Sequence, residues 1–298
     1  MIACLKEGAL VLTLVTMWTH PMGATESVVK GRTATSAASC APAGAPSEVR
    51  AYVSEGWQIQ ESARFRVCCL GALPADCKLA PAIEALRTSL SQKWLGDVAV
   101  AAWQPKCDVI LHTRLGAYLQ AVPGGARTVG SSLIEVEHGR IVTRRIDVRA
   151  DLPGWLNAAV GHELTHVILA DVFANGVVPQ WADEGMAVLA DTAEKQLLHL
   201  RDLHIARRQG NHLRMVELFT LAGHPGERQA AFYGQSASVV KFLVARGTPE
   251  QFVRFVQASS NEGYDRALRD VYQIHGVGEL ERHWSQSVVV EESVALAR

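Results

Sequence analysis

The sequence of 298 residues predicts an α+β fold: a mixed α/β sheet half followed by a mostly α-helical half. Three observations predict it. Between about residues 57 and 150, short alternating apolar segments flank one long helical pattern. From residue 151 onward, apolar residues recur at three- and four-residue spacing. Near the join lies Gly161-His162-Glu163-Leu164-Thr165-His166, an H-E-x-x-H segment inside a helical run.

Residues 1–24 read as an export leader. Lys6 precedes an apolar run from Ala9 to Trp18, and Pro21-Met22-Gly23-Ala24 offers small residues for cleavage. The run falls short of the ~20 residues a membrane span needs. A cleaved leader and a retained anchor both fit, and no later segment reads as a span. Residues 25–56 are rich in Ala, Ser, Thr, Gly and Pro and read as a flexible spacer.

Residues 57–150 form the predicted sheet half. Phe65 to Leu70 alternates as a strand, and Leu79 to Trp94 is helical in spacing. Val98 to Trp103 and Cys107 to His112 read as strands. Ser131–Val136 and Ile141–Val148 make a hairpin around Glu137-His138-Gly139-Arg140. Residues 151–290 form the helical half, with helices expected at about 153–173, 180–191, 193–209, 212–222, 227–246, 249–258, 263–274 and 277–290. Residues 291–298 are a tail.

The first of these helices opens with an Asp151 cap and Pro153 in its first turn, and Asn175-Gly176 stops it. Leu156, Val160, Leu164, Val167 and Ile168 form a stripe that buries it. Histidines four apart on such a helix point the same way, so His162 and His166 can reach one metal ion. Glu163 projects beside that ion, where it can accept a proton from water.

Pro179 to Ala187 contains Trp181-Ala182-Asp183-Glu184-Gly185-Met186-Ala187. Glu184 lies 18 residues beyond His166, past a short turn. A returning helix would supply it as third ligand and leave a fourth position open. Downstream, Tyr233 stands near the start of another helix, where its phenol could face the metal. Asp183 falls on another helix face from Glu184 and would either stand behind the ligands or lie at the surface. Asp171 could orient a ligand histidine or cap the helix end. His199, His204, His212 and His224 carry no pairing motif.

The segment from Trp181 to Ala187 resembles the W-x-x-E-G-x-A stretch that carries the third zinc ligand in gluzincin metallopeptidases. Tyr233 to Ala237 resembles the Y-x-x-G-A stretch of aminopeptidase-N-like enzymes. More closely, the chain is similar to bacterial peptidase-MA-like proteins, with C-terminal matches at Ala267-Leu268-Arg269 and Glu281-Arg282-His283-Trp284. The resemblance covers about residues 61–285. It implies a zincin-like fold with one zinc ion in the cleft between the halves, held by His162, His166 and Glu184. It implies Glu163 as general base, Tyr233 as oxyanion donor, and a hairpin strand lining the cleft beside a peptide or protein substrate.

Two departures qualify what is carried over. The spacing from His166 to Glu184 is slightly shorter than in thermolysin-like enzymes. No G-x-M-E-N segment, which grips a substrate amino terminus, precedes His162. The resemblance therefore gives no support for an aminopeptidase, and the expected activity is that of an exported zinc endopeptidase. The alternatives are a zinc hydrolase of another amide or ester, and a peptidase-like binding protein of the cell envelope without turnover.

A net charge of −1 argues against broad nucleic-acid binding. The six cysteines suit an exported chain. Loss of Cys4 with the leader would leave five, so at least one lacks a partner within the chain. Cys68 or Cys69 could bridge Cys107 or Cys77.

Overall fold

The computed structural model describes residues 2–6, 9–15, 49–71, 78–96, 103–173, 178–223 and 225–296. For the first two segments and residues 290–296 only the backbone course is described. The expected strand at 98–102, the Asn175-Gly176 stop, Cys40, Cys77, His224 and spacer residues 25–48 lie outside the described residues.

The sheet half is one eight-stranded sheet in the order β1-β2-β7-β8-β6-β5-β4-β3. In chain order these are β1 (Ile2–Lys6), β2 (Ala9–Val15), β3 (Arg50–Ser54), β4 (Trp57–Glu61), β5 (Phe65–Leu70), then α1 (Leu79–Leu95), β6 (Cys107–His112), α2 (Leu115–Ala121), β7 (Gly130–Glu137) and β8 (Arg140–Arg149). Strands β5, β6 and β8 run parallel, and the other pairings are antiparallel. The parallel step from β5 to β6 is bridged by α1, as such crossovers require. Phe65, Val67 and Cys69 of β5, with Val109 and Leu111 of β6, pack beside Ile83 and Leu90 of α1.

Strand β3 falls inside the expected spacer, which therefore ends earlier than residue 56. All five of its residues are exposed. An edge strand that buries nothing has no apolar alternation to announce it, and only pairing with β4 reveals it. The short helix α2 was likewise unannounced. The segment read as a leader contributes β1 and β2, and β2 pairs with β7 from Val15–Ser131 to Ala9–Glu137.

The helical half follows: α3 (Gly161–Val172), α4 (Gln180–Val188), α5 (Ala193–Arg208), α6 (Met215–Thr220), α7 (Gln229–Val244), α8 (Pro249–Glu262), α9 (Tyr264–Tyr272) and α10 (Val277–Leu296). Each matches an expected helix, and α10 runs on through Leu296 into the segment expected as a tail. The first differs at its entrance. Leu156–Val160 form a wide π-helical turn that leads into α3, a feature often found beside functional sites. Asp151 does not cap the helix. Its carboxylate pairs with Arg149 at 2.8 Å.

Two apolar cores meet at α3. Leu164, Val167 and Ile168 pack into the core under the sheet. Leu169 belongs to the helical core with Trp181 and Met186 of α4 and Phe232 of α7. Each fully buried large apolar side chain contributes about 1.5–3 kcal/mol, so α3 is clamped from both sides. Helix α4 is pressed against α7 through Gly185. A Cβ there would lie 2.5 Å from Val240 Cγ2 and 2.7 Å from the Ser236 carbonyl oxygen. Among the described helices none is long and apolar enough to cross a membrane.

The expected bridge from Cys68 or Cys69 to Cys107 is not formed: all three are free and buried. The strand register explains why. Cys107 sits opposite Phe65, while Cys68 faces Ile110 and Cys69 faces Leu111. Three or four residues along a strand is about 10–13 Å, beyond the ~7 Å that a disulfide can span between Cα atoms.

Candidate metal centre

His162 and His166 lie on the first turns of α3, and Glu184 lies in the middle of α4. All three are buried, and one ligand atom of each lies within 4.8 Å of the others. His162 Nε2 is 3.5 Å from Glu184 Oε2, and His166 Nε2 is 3.9 Å from the same oxygen. Bonds of ~2.1 Å to a tetrahedral ion would separate two ligands by about 3.4 Å. The residues therefore fit such an ion. The same three atoms are sealed from solvent and lack a hydrogen-bond partner. Leaving them so would be costly, and a shared cation would satisfy all three.

The opposite nitrogens of both rings are occupied. His162 Nδ1 donates to Asp191 Oδ2 at 3.1 Å, and His166 Nδ1 donates to Asp183 Oδ1 at 2.9 Å. An ionised carboxylate only accepts, so each Nδ1 bears a proton, and in the neutral ring that a metal needs each Nε2 offers its lone pair. Asp191 also takes Lys195 Nζ at 2.7 Å.

These contacts decide two open sequence readings. Asp183, on another helix face from Glu184, stands behind the ligands and orients His166. Asp171 orients no ligand, since it pairs with the buried Arg144. Asp191 had no motif to mark it. It follows the C-terminal end of α4 in a short loop, and only the packing of that loop on α3 brings it to His162. Asp191→Asn is expected to weaken zinc binding about 10–100-fold, measured by competition with a chromophoric chelator. Unchanged affinity would mean that the contact does not tune the ligand.

Electrostatics in the absence of a cation follow from this crowding of acids. Burial alone would push the His162 imidazole down, but Asp191 and Glu184 reverse this and raise it to about 10. His166 is raised too, burial being outweighed by Asp183 and Glu184. Burial opposes ionisation of Glu184, yet the two histidines draw it below the usual carboxylate range. Asp191 behaves likewise: His162 and Lys195 outweigh burial and hold it low.

Glu163 points elsewhere than the ligands, as the helical repeat requires. Its side chain lies against Gly130 at the start of β7. A Cβ on Gly130 would approach Glu163 Cγ to 2.9 Å and Oε1 to 3.0 Å. The base candidate is thus seated at the start of β7, which lies between β2 and β8 in the sheet.

Tyr233 is buried on α7, with its ring 5.7 Å from that of His199 on α5. His199 in turn is electrostatically coupled to His162, Glu184, Asp191 and Lys195. Nothing in the sequence singled out His199, since its partners come from three other helices and a loop.

Two histidines and a glutamate on neighbouring helices, with oriented rings and a carboxylate beside them, form a group that could hold one metal ion. Residues 136–290 match the Peptidase MA superfamily, and the chain belongs to that family. Among solved structures, the chain is similar to a crystal structure of a mutant M1 zinc metallopeptidase from Deinococcus radiodurans. The two share 16% identity with a TM-score of 0.39, over 80% of this chain and 52% of that one. The chain thus spans about half the length of that protein. No curated protein matches it.

Proposed function

We propose that the protein is an exported, zinc-dependent endopeptidase in which Glu163 is the general base. The observation that carries this reading is the sealed trio of His162 Nε2, His166 Nε2 and Glu184 Oε2, three atoms aimed at one point and lacking partners. They would hold a single zinc ion through one atom each. When bound, the ion supplies Lewis acidity and brings the pKa of a coordinated water to about 7.

The protein's own residues divide the remaining work. Asp191 and Asp183 hold the two rings in the tautomer that leaves each Nε2 free. Glu163, against Gly130, accepts the proton of water and returns it to the leaving amine. Tyr233 donates a hydrogen bond to the substrate oxygen on which charge develops, a contact whose loss typically costs about 100-fold or more. An extended peptide would lie along β7, which places its carbonyl beside Glu163. Removal of residues 1–24 as a leader would expose that edge, because β2 belongs to the leader segment.

Support for the endopeptidase reading is the lack of any G-x-M-E-N counterpart before His162. The test is cleavage of a peptide blocked at both ends by zinc-loaded protein, its loss with a chelator and its return with added zinc. Turnover only of peptides with a free amino terminus would exclude the endopeptidase. Tight zinc without any hydrolysis would leave a peptidase-like binding protein. Cell fractionation with N-terminal sequencing tests export: intact Met1 in the cytosolic fraction would exclude it.

A further inference from the structure

The three carboxylates Asp183, Glu184 and Asp191 that meet the two ligand rings are not partnered alike. The Asp191 side chain is sealed from solvent and uses both oxygens. Its Oδ2 accepts from His162 Nδ1 at 3.1 Å, and its Oδ1 accepts from Lys195 Nζ at 2.7 Å. Asp183 is nearly as buried, yet among the described residues it forms an ion pair with His166 alone. Glu184 pairs with the two histidines. Among the described residues, Lys195 is thus the one lysine or arginine paired with any of the three, and it stands behind a single ligand.

As a mere tie for the loop before α5, the ammonium would be redundant. The Thr192 hydroxyl caps α5 by accepting from the Lys195 backbone N–H at 3.4 Å, and the Gln196 side-chain amide donates to the Asp191 carbonyl at 2.8 Å. What Lys195 Nζ adds is charge. A carboxylate that accepts from a metal-bound imidazole makes that ring a stronger donor to the metal. An ammonium on the other oxygen draws the negative charge toward itself, and the effect is strong where water is excluded. His162 therefore faces a compensated carboxylate, and His166 an uncompensated one.

We infer that Lys195 is a positioning residue of the metal centre: acting through Asp191, it makes His162 the weaker of the two histidine donors and so keeps the bound ion electrophilic. Lys195 reaches the centre through two consecutive hydrogen bonds and pairs with no ligand itself. The inference rests on the metal-centre reading for its place and on the peptidase reading for its effect on rate.

The test compares zinc-loaded wild type with Lys195→Met, which keeps the side chain's length and removes its charge, and with Lys195→Arg, which keeps the charge. Lys195 lies in the first turn of α5 and is partly exposed, so both variants are expected to fold, as circular dichroism will show. Proton NMR of nitrogen-15-labelled protein reads the two ligand Nδ1–H groups, which burial shields from exchange with water. Asp191→Asn marks the His162 resonance by moving it toward weaker hydrogen bonding. Lys195→Met should move that resonance the opposite way, downfield, and leave the His166 resonance in place. It should also lower kcat for blocked peptides by about tenfold, the low end for changes behind a ligand, with KM unchanged. Lys195→Arg should rescue both readouts. An unmoved His162 resonance in Lys195→Met, or an unchanged kcat in active protein, would overturn the inference. Loss of both resonances together with the zinc would also overturn it and make Lys195 a loop tie. A shifted resonance in a protein that cleaves nothing would keep the tuning of His162 and reject the peptidase. Wild type that takes up no zinc would reject both.

Discussion

Purified Glu184→Ala protein is expected to lose its zinc while keeping its fold. Glu184 is one of three ligand candidates, and its Oε2 sits 3.5 and 3.9 Å from the two Nε2 atoms. Loss of an outer partner already costs about 10–100-fold in affinity, and removal of a ligand must exceed this. Metal analysis and circular dichroism, run beside wild type, decide the matter. Wild type should hold one zinc per chain. Equal zinc in both proteins would move the ion elsewhere, and no zinc in wild type after reconstitution would reject the centre itself.

The same experiment has a pH signature. Without metal, His162 is held protonated up to about 10 by its carboxylate neighbours. Ligation needs the neutral ring, so zinc uptake at pH 7 should release protons. Calorimetry in buffers of different ionisation heat reads this directly. Affinity should therefore fall as pH falls. The stability of metal-free protein should move the other way. A raised histidine pKa contributes stability that is fully present below the unfolded value near 6.5 and is lost as pH rises through about 10. Zinc-loaded protein should not show that decline.

Glu163→Gln is expected to retain one zinc and to lose hydrolysis of blocked peptides by about 10²–10⁴-fold, the usual contribution of a positioned base. The substitution preserves shape against Gly130 and removes only the capacity to take a proton. Because Glu163 stands outside the ligand set, metal content separates loss of chemistry from loss of structure. Zinc retained with activity gone supports the base assignment. Zinc and full activity retained together would assign the proton to another group.

Much of this centre was legible along the chain because its geometry is local. The i, i+4 spacing of His162 and His166 needs only a helix, and the stripe from Leu164 to Ile168 predicts one. Strand β5, strand β6 and the β7–β8 hairpin were equally plain, since each carries buried alternation or a turn signal. Strand β3 was not, because it buries nothing and reads like the spacer before it. The approach of Asp191 to His162 and of His199 to Tyr233 was not legible either. The role of Asp183 stayed open for a related reason: its partner lies on another helix, and a helical wheel of α4 alone cannot decide between a place behind the ligands and the surface.

The sequence by itself determined the candidate ligands, the candidate base and the order of sheet and helices, because these depend on periodicity within single elements. Tertiary structure decided which carboxylate orients which histidine and why three cysteines stay unpaired. Those outcomes depend on contacts between residues far apart in the chain. Such contacts are set by how close the helices can approach, as at Gly185 against Ser236, and by the register of strands that only the folded sheet defines.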